Sequence, residues 1–84
     1  MNNLKTLKNE IKLLHLIDLT GSILQSAKKL GISVTAAKNM LCMLEKIYGS
    51  SIVQSRSGGL GGGGSMLTAI GHKIITQYDN LKTK

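Results

Sequence analysis

Apolar residues recur at helical spacing from Leu4 to Leu19, with Leu4, Leu7, Ile11 and Leu14 in one row and Leu13, Leu16 and Ile17 beside it. This pattern predicts a first helix with a wide apolar face. One globular core needs only one such stripe, so the Leu4/Leu7/Ile11/Leu14 row is expected to pack on a second subunit. The alternative is that both rows enter a single core. Thr20-Gly21-Ser22 then stops the helix with a glycine and offers Ser22 as the cap of a short second helix, about Ile23 to Leu30. Gly31 turns the chain, Ser33 or Thr35 can cap a third helix from Val34 to Tyr48, and that helix is two-faced. Ala37, Met40, Leu41, Leu44, Ile47 and Tyr48 line one side, while Thr35, Lys38, Asn39, Met43 and Lys46 point elsewhere.

After Gly49 the period changes. Ile52-Val53 is short and β-branched, Met66-Leu67 is its expected partner, and the glycine-rich stretch from Ser57 to Ser65 lies between them. A small β-hairpin with a mobile tip is expected there. A last helix, about Ala69 to Leu81, carries Ile70, Ile74, Tyr78 and Leu81 on a seam with Ile75 beside it. Read as a linker, the glycine tract would require a domain beyond it, whereas only this one helix follows. A hairpin wing is the better reading.

The small residues between Ile23 and Leu44 define the arrangement. Ala27, Gly31 four positions later and Ala37 six beyond that are flanked by Leu30, Ile32 and Met40. Two helices crossing steeply need small residues at their contact and a glycine at the corner, which is the helix-turn-helix spacing. The fold class is therefore mainly α with a small β-hairpin, a winged helix-turn-helix. It is expected as a single domain over 1–84, with the helix-turn-helix at about 22–48, the wing at about 52–68 and the C-terminal helix at about 69–81.

Composition narrows the partner. Eleven Lys and Arg against four Asp and Glu give a net charge of +7, which attracts phosphate polymers by counterion release. An anionic membrane surface would attract the same charge, but no apolar run approaches the roughly 18 residues of a spanning helix. The N-terminus lacks the features of a signal peptide, and a cytoplasmic protein is expected. Cys42 is the single cysteine, so neither an internal disulfide nor a clustered-thiol metal site can form, and it is expected as a small core residue. With no Pro, Trp or Phe and two Tyr, the core must be aliphatic, and unpaired bases would find no aromatic platform, which argues against RNA.

A helix presented outward by such a unit fits the major groove, roughly 12 Å wide. Thr35, Lys38 and Asn39 are the candidate base readers. Ser22, Gln25, Lys29 and Ser33 stand where the duplex backbone would pass, and Arg56 sits at the base of the hairpin. For each of these, capping or solvation is the plainer role.

Beyond spacing, two stretches match a known family. They are Gly21-Ser22-Ile23-Leu24-Gln25-Ser26-Ala27-Lys28-Lys29-Leu30-Gly31-Ile32-Ser33 and Ser57-Gly58-Gly59-Leu60-Gly61-Gly62-Gly63-Gly64-Ser65-Met66-Leu67-Thr68, followed by Gly71. Across about residues 10 to 81 the chain resembles the N-terminal DNA-binding domain of the molybdate-responsive ModE regulators. The resemblance implies a LysR-like winged helix, a homodimer, and approach to operator DNA by both the third helix and the wing, including Ser57, Gly59 and Gly61. Family members carry an aromatic or basic residue near the start of the recognition helix and a Trp within it, where Val34, Thr35 and Lys38 stand here. These recognition-helix departures imply a different operator, and the family's acidic-Arg pair before the wing is replaced by Gln54-Ser55, with Arg56, one position later, expected to substitute for its phosphate contact. The chain ends at Lys84 without the molybdate-binding domains of larger members, and a stand-alone DNA-binding domain with no oxyanion sensor is expected.

Other chemistries fit less well. Gly59-Leu60-Gly61-Gly62-Gly63-Gly64 satisfies the dinucleotide fingerprint and Asp79 follows Gly59 by twenty residues, but five residues after Asp79 cannot supply the further parallel strands of a nucleotide fold. His15 and His72 lie on different helices with no carboxylate or thiol at ligand spacing, so they read as surface or packing residues. No nucleophile, base and orienting acid come together, so no enzyme, no cofactor and no metal are expected. The second reading that stays open is a winged-helix protein-interaction or dimerisation module without specific DNA binding.

Overall fold

The structure, a computed structural model, describes residues 7–56 and 64–82. In chain order the elements are α1 (Lys8–Thr20), α2 (Ile23–Leu30), α3 (Val34–Tyr48), β1 (Val53–Arg56), β2 (Gly64–Leu67) and α4 (Ala69–Lys82). Local chemistry sets these boundaries. Ser22 and Ser33 are the N-caps of α2 and α3, their hydroxyls accepting from the amides of Gln25 at 3.1 Å and Ala36 at 3.0 Å. Gly31 ends α2 in the left-handed region, φ 76°, where a residue with a Cβ is strained. Thr68 opens α4, its hydroxyl accepting from the Gly71 amide at 3.3 Å.

The core is aliphatic and centred on α1, which touches α2, α3, α4 and β2. Ile11, Leu13, Leu14 and Ile17 are buried along it, joined by Leu41 and Leu44 of α3, Ile52, Leu67, and Ile74 and Ile75 of α4. Ala27 and Ala37, 1% and 0% exposed, are the small residues that let α2 and α3 approach. The hairpin is antiparallel, pairing Val53 with Leu67, Gln54 with Met66, Ser55 with Ser65 and Arg56 with Gly64. Its inner face, through Leu67, closes the core, and Met66 points outward.

Three sequence expectations are corrected. The row reserved for a second subunit is used up inside the chain, because Leu7, Ile11 and Leu14 are 7%, 1% and 0% exposed. A helix surrounded by four other elements needs apolar residues around most of its girth, and the expectation of a surplus stripe counted only one neighbour. Leu4 lies outside the described residues. Cys42 is exposed rather than buried, since it follows Lys38 by one turn on the polar side of α3. Ile47, placed with the buried side, is 40% exposed, because in the last turn of that helix it falls at the margin of the stripe set by Ala37, Leu41 and Leu44. No helix among the described residues is long and apolar enough to cross a membrane.

Candidate nucleic-acid interface

Helix α3 buries Ala37, Leu41 and Leu44 and turns Thr35, Lys38, Asn39, Cys42, Met43 and Lys46 to solvent. Burial of one side fixes the direction of the other, so the three candidate base readers share one exposed face within two turns of the capped N-terminus. Beside this face runs an open groove. Lys38, Cys42 and Glu45 line it from α3, Gln54 and Ser55 of β1 and Ser65 of β2 from the hairpin, and Ile23 from α2. The hairpin thus stands next to the third helix, with the strand that carries Arg56 along the groove.

Three of the four acids lie elsewhere, Glu10 among them in a separate pocket with Leu30 and Met40. Asp18 of α1 faces His72 of α4, with Oδ1 3.9 Å from Nε2, and His15 of α1 faces Asp79 of α4 at 3.7 Å. These crossed pairs tie the two helices in antiparallel fashion and keep Asp18 and Asp79 away from the groove. All four side chains are about half exposed, so each pair contributes little to stability, about 0–1 kcal/mol. Sequence spacing placed no carboxylate by either histidine. The signal was a His and an Asp on each helix, His15 with Asp18 and His72 with Asp79, legible only once those helices are known to be antiparallel neighbours. Among the described residues no group of three or more His, Cys, Asp or Glu could hold a metal ion.

The remaining candidates divide. Ser22 is half-buried and Ser33 exposed; both hydroxyls are engaged as cap acceptors, which leaves each one O–H to donate. Gln25 is exposed at the start of α2. Lys29 does not join Lys38: it lines a separate groove with Lys12 and His15 over Leu16 and Leu30, between α1 and α2. The backbone of Arg56 ends β1, while Ser57, Gly59 and Gly61 lie outside the described residues. The sequence reading missed Glu45, an acid at the groove's edge, and the neutral polar set Gln54, Ser55 and Ser65 opposite it.

At the tip-side pairs of the hairpin, residues far apart in the chain meet. Gly21 ends α1 in the left-handed region, φ 71°, its amide donating to the Ile17 carbonyl at 2.8 Å. The Thr20 hydroxyl donates to the Leu16 carbonyl at 2.7 Å and accepts from the Ser22 amide at 3.1 Å. The hydroxyl of Ser26, 0% exposed, donates to the Ser22 carbonyl at 2.7 Å. The corner so fixed presents the Gly21 carbonyl to β2, where the Ser65 amide donates to it at 2.8 Å.

Outward helix, small-residue crossing and adjoining hairpin define a winged helix-turn-helix. No protein-family profile matches the chain. It is 41% identical over 71 residues, 84% of its length, to the DNA-binding transcriptional dual regulator ModE of Escherichia coli K12, and covers 27% of that protein. It is likewise 41% identical over 73 residues to the transcriptional regulator ModE of Yersinia pestis, covering 87% of this chain and 28% of the relative. The molybdenum-pterin-binding protein MopB of Rhodobacter capsulatus is 35% identical over 68 residues, 81% of this chain and 25% of its own. The matched stretch is the N-terminal part of these relatives, and by it the chain belongs to the ModE family. It spans about a quarter of the length of the curated relatives it matches.

Proposed function

We propose that this chain is a double-stranded-DNA-binding transcriptional regulator that reads sequence through α3. The observation that carries this reading is the exposed face of Thr35, Lys38 and Asn39 beside the hairpin groove, in a chain 41% identical to a protein named as a DNA-binding regulator. Placed in the major groove, Asn39 offers the bidentate amide suited to adenine, Lys38 a donor for the guanine edge, and Thr35 a hydroxyl and a methyl. Ser22, Gln25 and Ser33 donate to phosphates on one side, and Arg56 with the wing, including Ser57, Gly59 and Gly61, meets the backbone or minor groove on the other. Lys29 contributes through the general field of the net +7 charge, being set toward α1. Glu45, near Lys38 in the groove, is an acceptor for a base amine and a repulsive element against misplaced phosphate.

Selection of bound duplexes from a random library, followed by affinity at two salt concentrations, tests the proposal. An enriched site held at least about a hundredfold tighter than a scrambled duplex, with affinity falling as salt rises, is the expected outcome. Equal binding to all duplexes removes sequence reading and leaves a non-specific binder.

The reading includes a homodimer, since two chains would place two recognition helices on successive major grooves. With the α1 row buried, the apolar surface left for it includes Leu19, 80% exposed at the end of that helix. Sedimentation equilibrium at tens of micromolar reads it directly, and a monomer there removes it. One observation favours the protein-interaction reading: Met43 and Ile47 are 37% and 40% exposed on α3 itself. Absence of any duplex binding would promote that alternative.

A further inference from the structure

The hairpin does not hang from the helices only by its covalent ends. Its second strand abuts the corner between α1 and α2, and the contact is too close for any side chain. A Cβ built on Gly64 would lie 2.6 Å from the Gly21 carbonyl oxygen and 3.8 Å from the carbonyl carbon. Ser65, the next residue, gives its amide to that same oxygen at 2.8 Å. An amide on the outer edge of a two-stranded sheet ordinarily goes to water, so its use here joins the sheet edge to the helix corner. The accepting carbonyl is itself held: Gly21 is capped back onto Ile17, and the Thr20 hydroxyl bridges Leu16 and Ser22 on either side of it.

We propose that Gly64 is a positioning residue, whose missing side chain lets β2 lock onto the Gly21 carbonyl and so sets the angle of the wing to the recognition helix. The proposal rests on the DNA-binding reading above and adds to it the element that fixes the wing. The lock sits at the tip-side end of the hairpin ladder. Gly64 pairs with Arg56, the last pair of the ladder, and the glycine-rich stretch of the sequence lies between them. A shift of β2 there moves Arg56 with it. An added Cβ meets backbone on one side, so the strand must move, because no flexible side chain can give way. The hydrophobic core is not touched by this change, since Gly64 is only half-buried and Leu67 anchors the hairpin three residues on.

The test compares the full chain with Gly64→Ala. Amide hydrogen exchange is measured by NMR without DNA, and duplex affinity is measured on the selected site at several salt concentrations. The expected result has four parts. In the unaltered chain the Ser65 amide is protected at least about tenfold over an unfolded chain, the scale of one hydrogen bond. In Gly64→Ala that protection is lost while the amides of Leu14 and Leu44 keep theirs. Affinity falls roughly tenfold. The salt dependence becomes shallower, as wing phosphate contacts are given up.

A Gly64→Ala chain that binds as tightly as the original, with the same salt dependence, overturns the proposal. So does a Ser65 amide that exchanges at the unfolded rate in the unaltered chain, a measurement that needs no variant and stands even if Gly64→Ala fails to fold. If the unaltered chain binds no duplex, the DNA reading fails and the positioning role falls with it; the exchange data then show separately whether the lock exists.

Discussion

Replacing Gly71 with Ala sets two effects of opposite sign against each other, and the structure decides between them. Gly71 lies in the first turn of α4, where alanine is the better helix former by at most about 1 kcal/mol. Its new Cβ would stand 2.7 Å from the Ile52 carbonyl oxygen and 3.1 Å from Leu67 Cβ. A close C···O contact is about 3.3 Å, so the pair must separate by roughly 0.6 Å. Neither neighbour can yield easily. Ile52 is 0% exposed and its carbonyl accepts the Thr68 amide at 3.0 Å, while Leu67 is 3% exposed and paired with Val53. Overpacking of this kind costs about 1–3 kcal/mol, so the clash wins and the net loss is about 1–2 kcal/mol. For a domain of this size that lowers the melting temperature by about 5–15 °C. Urea unfolding followed by circular dichroism should show a lower midpoint with an unchanged slope. The control is Gly31, where a Cβ would meet nothing within 4 Å but φ is +76°. There Asn, which tolerates the left-handed region, should be milder than Ala, whereas at Gly71 the larger Asn should be worse. Equal or greater stability of Gly71→Ala would refute the reasoning.

Three further outcomes are expected. Cys42, exposed on α3, should react stoichiometrically with a soluble thiol reagent in the native protein, and reaction only after denaturant would contradict its placement. Thr20→Ala leaves the Ser22 amide without its hydroxyl acceptor and should cost about 1 kcal/mol in urea unfolding, with no change signalling that water replaces it fully. Asn39→Ala should relax preference at one operator position by about 1–3 kcal/mol in competition binding, and an unchanged preference would strip Asn39 of its base-reading role.

Helices α2 and α3 were legible because each carries its own punctuation. Ser22 and Ser33 cap, Gly31 turns, and the apolar period runs unbroken between them, so α2 and α3 emerge at Ile23–Leu30 and Val34–Tyr48 as the sequence predicts. The hairpin was legible from the change of period around the glycine tract, and Val53 does pair with Leu67. What the pattern could not supply was the number of neighbours each helix has. The two rows of α1 look like one core face and one spare, until α2, α3, α4 and β2 are all found against the same helix. Cys42 failed for a related reason: its residue type argued for burial, while its position, one turn from both Lys38 and Lys46, argued for solvent. Position wins where a helix has one buried side, and among the described residues the thiol stays exposed.

The candidate interface divides along the same line. Thr35, Lys38 and Asn39 could be placed on a face from periodicity alone, since a helix repeats its own geometry. Contacts that join distant segments have no period. Gly64 belongs to a tract of glycines that reads as uniform flexibility, yet in the fold one end of that tract is held against the Gly21 carbonyl, where a Cβ would stand at 2.6 Å. A glycine chosen for freedom and a glycine chosen for close approach are the same letter, and only the neighbour tells them apart. That distinction bears on mechanism. If Gly64 positions the wing as proposed, β2 meets DNA already directed, whereas a wing without that contact would have more conformational entropy to lose. Glycines within the tip should therefore tolerate alanine better than Gly64 does, although all of them stand in one run.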